Sequence, residues 1–273
     1  AGLSPTTLAR LVHLLKQLKP HAVHTHHIGP LLYGGIAARF CGIKNIVHTE
    51  HDAWHLQQSK AAKLQDRLLK AIQPTLIADA QLVAKNCQNV LRQTKYQVIR
   101  NGIDTLRFVP GLQAVARRQL NLPSSVTLLG CAARLEKEKG QRTLIEALSR
   151  LPSNIHLALA GQGRQRQSLL QLCEILNLQD RVHFLGNIDN MPRFYQTLDL
   201  FCLPSFNEGM PLAPLEAQAC GIPCILSEVG GTIEALCPDT GHLVPPGDAQ
   251  ILADAISQQL ATPLSTTPRN FAR

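Results

Sequence analysis

The sequence predicts an α/β chain built from two doubly wound parallel-sheet domains that face each other across a cleft. Three observations carry this expectation. Short apolar or β-branched runs alternate with amphipathic helical patterns from residue 22 to residue 100. The alternation breaks around Pro110–Gly111 and Pro123, then restarts near residue 128 and continues past residue 220. The 273 residues, 45% apolar and 17% charged, suffice for two ordinary cores. Strand–helix alternation implies a parallel sheet covered on both faces, and two such series imply two domains.

In the first series, strands are expected at Ala22–His26, Ile46–Glu50, Thr75–Ala80 and Tyr96–Arg100. Helices are expected at Leu8–Leu18, Pro30–Cys41, Lys60–Ile72 and Gln81–Leu91. In the second, strands are expected at Leu128–Ala133, His156–Ala160, Val182–Leu185, Leu200–Leu203 and Cys224–Ser227, with helices between them. The domains are placed at 1–110 and 124–261, joined by a linker at 111–123 and followed by a tail at 262–273.

Composition excludes several classes. Aromatics are only 4%, with Trp54 the single tryptophan, which argues against a stacking platform for sugars or bases and so against a nucleic-acid partner. No apolar run approaches the roughly 18 residues of a membrane span. A signal-peptide pattern is missing too, so a soluble, cytoplasmic chain is expected. Net charge is +8, but residues 1–110 hold 14 Lys/Arg against 5 Asp/Glu, while the rest hold 13 against 14. The basic half suits either an anionic partner or simple solubility. Lys60, Lys63, Arg67 and Lys70 recur at helical spacing and form a basic stripe, open to an anionic membrane surface, an anionic acceptor or plain solvent.

The eight cysteines sit in apolar stretches and read as buried free thiols of a reducing compartment. His24, His26, His27, His48 and His51 fall on two separate apolar strands without carboxylate support, so no metal is expected.

Ligands of open α/β sheets bind beyond the carboxyl ends of the strands, and three loops there are chemically loaded. Residues 132–140 carry Arg134 and Lys139 just before a helix, which suits a diphosphate or an ordinary solvated turn. Gly161 and Gly163 permit close ligand approach or a tight turn. Residues 204–216 place Glu208 in a loop and Glu216 eight residues on, in a helix with Pro211 in its first turn. The N–H groups of Leu212 and Ala213 are left to meet a phosphate. Glu138 and Glu146 share the eight-residue spacing, so strand, glycine turn and helix start distinguish the second pair.

The ordered strings Ala133–Arg134–Leu135, Lys139–Gly140, Gly161–Gln162–Gly163, Glu208–Gly209–Met210–Pro211, Leu215–Glu216–Ala217 and Gly221–Ile222–Pro223 resemble family 4 glycosyltransferases of the GT-B fold. So do Asn101–Gly102–Ile103–Asp104, Gly230–Gly231–Thr232–Ile233–Glu234 and residues 241–248. The resemblance implies a retaining transferase that moves a sugar from a UDP-, GDP- or ADP-sugar to a cell-envelope, polysaccharide or lipid-linked acceptor. No cofactor is implied. Arg134 and Lys139 would bind the diphosphate, Glu208 the donor-sugar hydroxyls, and Glu216 the ribose. Gly209 and Met210 would present backbone beside the sugar, and Gly161 and Gly163 would lie beside the nucleotide. His51, in a strand-end His-Asp, would contact the donor sugar, with His26 a weaker candidate.

The family's glycine-rich loop after its first strand has no counterpart, residue 1 is alanine, and the first domain is short. An N-terminally incomplete chain is therefore expected. The alternatives are another GT-B activity, a nucleotide-sugar epimerase or phosphorylase, or an inactive nucleotide-binding fragment.

Overall fold

In the computed structural model, which describes residues 4–91, 95–262 and 266–272, the chain divides into two units, 1–101 and 102–273. The first holds four parallel strands in the order β1–β2–β3–β4, with β1 at Ala22–His26, β2 at Asn45–Glu50, β3 at Thr75–Ala78 and β4 at Gln97–Val98. Their register sets Thr25 beside His48, His26 beside Thr49, and Glu50 beside Ala78. The carboxyl ends of β1, β2 and β3 are therefore level. Helix Pro5–Leu18 starts at Ser4, whose hydroxyl accepts the Thr7 N–H, and has Pro5 in its first turn. Helix Ser59–Ile72 buries Leu68, Leu69 and Ile72 and leaves Lys60, Lys63, Arg67 and Lys70 exposed.

β3 and β4 are shorter than the sequence predicts. Beyond Ala78 the chain turns, and Ala80 already accepts the Ala84 N–H that opens the next helical turn. β4 pairs only with Ile77 and Ala78, so two residues exhaust its ladder.

The second unit holds six parallel strands in the order β10–β9–β8–β5–β6–β7. These are β5 (Thr127–Ala132), β6 (Ile155–Ala160), β7 (Val182–Gly186), β8 (Leu200–Leu203), β9 (Cys224–Ser227) and β10 (His242–Val244). All four residues of β8 and of β9 are buried, as expected for central strands covered on both faces. β10 is a three-residue edge strand, too short for its pattern to show in the sequence. Strand order reverses between β5 and β8, which is where such sheets bind ligands. All eight cysteines are free thiols, seven of them buried, and burial pushes the thiols of Cys131 and Cys220 up to about 12.

The stretch expected as a linker carries helix Gln113–Gln119, which belongs to the second unit. Arg117 is 3% exposed, and its guanidinium donates to the carbonyls of Thr197 (2.9 Å), Ser124 (3.1 Å) and Val126 (2.9 Å). It also pairs with Asp199 at 2.7 Å. Prolines mark the ends of this segment, but the buried arginine ties it down. The tail behaves alike: Arg269 donates to the carbonyls of Phe108 (2.7 Å), Thr105 (3.0 Å) and Ala219. Arg117→Ala strands several carbonyls and the Asp199 carboxylate, and is expected to destabilise the chain by about 3–5 kcal/mol in urea unfolding. An unchanged midpoint would contradict this anchoring role.

Candidate functional site

The loops after β5 and β6 are zipped together. Ala133 N donates to Ala160 O (3.1 Å), Leu135 N to Gln162 O (2.9 Å), and Gln165 N to Leu135 O (2.8 Å). Gly161 has φ +135°, and a Cβ there would sit 2.1 Å from the Ala133 carbonyl oxygen. At Gly163 a Cβ would lie 2.3 Å from the Leu135 carbonyl oxygen. The sequence leaves these glycines to ligand approach or to a tight turn. In the structure their missing side chains admit the neighbouring loop and so set the backbone on either side of Arg134, while Gly161 also lines the cavity that Glu216 reaches.

Arg134 has an exposed side chain beside Glu138 (3.3 Å), and its carbonyl accepts from Gln141 Nε2 (2.9 Å). Lys139 is largely buried and pairs with Glu208 Oε1 at 2.7 Å. The hydroxyl of Ser205 donates to the same oxygen at 2.7 Å. Glu208 Oε2 has no partner among the described residues. Phe206 N donates to Glu138 O (2.8 Å), which holds the two loops side by side. The Gly209 carbonyl accepts from Gly231 N (2.7 Å), and Met210 is buried.

Helix Leu212–Ala219 follows, with Pro211 in extended conformation as its cap rather than within its first turn. Leu212 and Ala213 open the helix, so their N–H groups have no intrahelical acceptor. Glu216 reaches a cavity of about 370 Å³ lined by Arg134, Gly161, Gln162, Asn187 and Tyr195 at the carboxyl ends of β5 and β6. That volume falls in the range of small-ligand pockets. The Tyr195 hydroxyl donates to Glu216 Oε2 at 2.7 Å, and its ring is clamped by Phe108, Phe194 and Phe201. Burial raises the Glu216 carboxyl above its ordinary range, against the opposing pull of Tyr195 and Arg107. A cavity of about 410 Å³ near Thr75, Leu76 and Gln97 lies at the amino ends of β3 and β4, the wrong end of the sheet for a site of this class.

In the first unit, His51 follows β2 and uses both ring nitrogens. Nδ1 lies 3.0 Å from Asp79 Oδ2, and Nε2 lies 2.8 Å from His26 Nδ1. Asn101 Nδ2 donates to the same Asp79 oxygen at 3.2 Å. His48 is wholly buried between Thr25 (2.9 Å) and Glu50 (2.8 Å), and Glu50 also accepts from Gln65. The histidines stand on or beside two separate strands, as expected, but these are neighbours, and the expected lack of carboxylate support is overturned: Glu50, Asp52 and Asp79 all reach histidines. Among the described residues, no group of three or more His, Cys, Asp or Glu is placed to hold a metal ion.

Ser205, Tyr195 and Asp79 were missed by sequence reasoning. Ser205 precedes Glu208 by three residues in one loop, which is a readable signal. Tyr195 and Asp79 reach partners 21 and 28 residues away in the chain, and only the fold brings them together.

Residues 113–273 match the family described as Glycosyl transferases group 1, and residues 1–107 match Glycosyltransferase Family 4. The chain belongs to the group 1 glycosyl transferases and has the two-sheet α/β fold of GT-B type. It is 30% identical over 243 residues to UDP-Gal:alpha-D-GlcNAc-diphosphoundecaprenol alpha-1,3-galactosyltransferase of Escherichia coli, covering 82% of this chain and 62% of that protein. It is 28% identical over 272 residues to D-inositol 3-phosphate glycosyltransferase of Salinispora arenicola, covering 87% and 60%. The chain thus spans about six-tenths of the length of these curated relatives.

Among solved structures, sucrose-phosphate synthase from Thermosynechococcus elongatus matches with a TM-score of 0.86 at 26% identity, covering 98% of this chain and 72% of that one. Anabaena HepE in complex with UDP-glucose matches with a TM-score of 0.87 at 25% identity, covering 97% and 75%.

Proposed function

We propose that this protein is a retaining glycosyltransferase, moving a sugar from a nucleotide-sugar donor to a polysaccharide, cell-envelope or lipid-linked acceptor. The observation that carries the reading is the half-buried Glu216 carboxylate, fixed by Tyr195 in a cavity of about 370 Å³ where strand order reverses. Its Oε1 is left to accept from ribose hydroxyls, a pairing that needs an acceptor-only group. Arg134, Lys139 and the first N–H groups of helix Leu212–Ala219 would meet the diphosphate and offset the charge growing on the leaving nucleotide. Glu208 would orient donor-sugar hydroxyls through Oε2, with Gly209 and Met210 beside the sugar. Gly161 and Gly163 shape the nucleotide pocket. His51 belongs to a polar row on the first unit that would meet substrate.

The relatives support a sugar nucleotide as donor: the Escherichia coli protein is named for UDP-Gal, and the HepE structure holds UDP-glucose. Among the described residues, no helix is long and apolar enough to cross a membrane. Work at the cytoplasmic face of a membrane would instead use the exposed Lys60, Lys63 and Arg67, since Lys70 is already paired with Asp66 at 2.7 Å.

Calorimetric titration with UDP, GDP and ADP tests the donor site. Saturable binding of one nucleotide is expected, weakened more than about tenfold in Arg134→Ala and in Glu216→Ala. Because burial raises the Glu216 carboxyl, affinity should begin to fall on acidification above the pH range of an ordinary carboxylate. No binding by a folded chain, or binding indifferent to both substitutions, would sink the donor-site reading.

A further inference from the structure

The second unit carries a histidine pair that the donor site does not use. β6 and β7 each have a single polar side chain, His156 and His183, at the strand's second position. The register sets His183 beside Ala158, and residues two apart share a face, so both imidazoles stand on one side of the sheet. His156 Nδ1 lies 3.1 Å from His183 Nε2, with the ring planes within 16° of parallel. The far nitrogens, His156 Nε2 and His183 Nδ1, have no hydrogen-bond partner among the described residues. Both residues are half-buried. Ala160 lines the donor cavity, and His156 lies about 13 Å before it along β6, toward the other end of the sheet. Arg181 fixes the backbone here. Its Nε donates to Ile155 O (3.0 Å) and its carbonyl accepts from Leu157 N (2.8 Å), which grips both neighbours of His156. The same guanidinium donates to the carbonyls of Leu148 (3.1 Å) and Pro152 (2.9 Å).

We propose that His156 and His183 chelate a late first-row divalent cation, Zn²⁺ or Cu²⁺, across the β6–β7 edge of the second sheet. The site is independent of the glycosyl-transfer reading. Metal binds the neutral imidazole, and the surroundings favour that form. Burial lowers the pKa of both rings, joined by Arg181 at His156, where Asp180 opposes it, and by His156 at His183. Two neutral rings hold two protons, one of them in the shared N–H···N bond. Moving that proton to the far nitrogen of its own ring leaves a lone pair on each facing nitrogen, and no proton is released. Zn–N bonds of about 2.0–2.1 Å spanning the 3.1 Å gap require an angle at the metal of about 100°, between the square-planar and tetrahedral values. No third His, Cys, Asp or Glu among the described residues joins the pair, so water fills the remaining positions. β7 is an edge strand, paired on one side alone, and the ion would staple it to β6. Binding to the folded chain alone stabilises it by mass action.

His26 and His51 form another facing pair, at 2.8 Å, so the ion has to be located as well as counted. The full chain, without a histidine tag and freed of metal with EDTA, is titrated with zinc chloride by calorimetry and melted with and without the metal. Copper sulfate is added in parallel under NMR of the isotope-labelled imidazoles. Zinc is expected to bind and to raise the unfolding midpoint. Substoichiometric copper should broaden the ring signals of His156 and His183 together.

In His156→Gln and in His183→Gln, zinc affinity at the pair should fall more than about tenfold. The zinc-dependent rise in midpoint should go with it, while the midpoint in EDTA stays near that of the parent chain. Absence of zinc binding, copper broadening confined to the histidines of the first unit, or a His156→Gln chain that gains as much stability from zinc as the parent overturns the proposal. Should either variant fail to fold, the copper map of the unsubstituted chain decides the matter by itself.

Discussion

Gly161→Ala is expected to abolish nucleotide binding and to lower the stability of the chain by about 2–6 kcal/mol, from backbone strain and overpacking together. The alanine Cβ would start 2.1 Å from the Ala133 carbonyl oxygen, and real contacts of this kind stay beyond 3.0 Å. The obstacle is backbone, so no side chain can rotate out of the way. The loop after β5 must retreat, taking with it Arg134, which lies between the two hydrogen-bonded residues Ala133 and Leu135. The φ of +135° adds its own penalty for any residue with a Cβ. Gly102→Ala is the matched control, because nothing lies within 4 Å of its added Cβ. Thermal unfolding and nucleotide titration of both variants check the prediction. If Gly161→Ala binds and melts like Gly102→Ala, the zipped-loop account fails.

That glycine also shows where sequence reasoning stops. Strand–helix alternation is a local signal of hydrophobic period, and it locates β1, β8 and β9 to the residue. The loops carrying Arg134 and Glu208, and the helix start that leads to Glu216, are legible for the same reason, since each lies beyond a buried apolar strand. A Gly-x-Gly announces that something approaches the backbone closely. Whether that is a phosphate or the Ala133 carbonyl depends on which strand lies alongside, and strand order is a non-local fact. The pairing of Tyr195 with Glu216, and of Asp79 with His51, is hidden likewise.

One miss was avoidable. His48 and Glu50 stand two apart on one strand, so they share a face, and a period-two reading gives the histidine its carboxylate. The segment 111–123 shows the non-local limit again: its proline marks a linker in the sequence, whereas the pairing of Arg117 with Asp199 some 80 residues later is a non-local fact.

Lys139 and Glu208 are expected to separate a structural role from a chemical one when each is replaced. Both are largely buried, and they meet at 2.7 Å with Ser205 on the same carboxylate oxygen. Removing one partner of a buried pair leaves the other charge uncompensated, at a cost of about 3–5 kcal/mol. Lys139→Met should cost more than Glu208→Gln, because the stranded carboxylate is the less exposed of the two, 8% against 16% for the ammonium. The double variant removes both charges, so its loss of stability should fall clearly short of the two single losses combined.

Turnover of the donor should behave differently. On the proposed function, Glu208 Oε2 would orient a sugar hydroxyl, and Lys139 would meet the leaving diphosphate. Each single variant should lose roughly 10²–10³-fold in rate, and the double variant should recover none of it. Urea unfolding and nucleotide release on the same four proteins give both cycles. Additive stability losses would show that the ion pair does not hold the two loops together. Recovery of turnover in the double variant would show that these residues serve the site only by holding its shape.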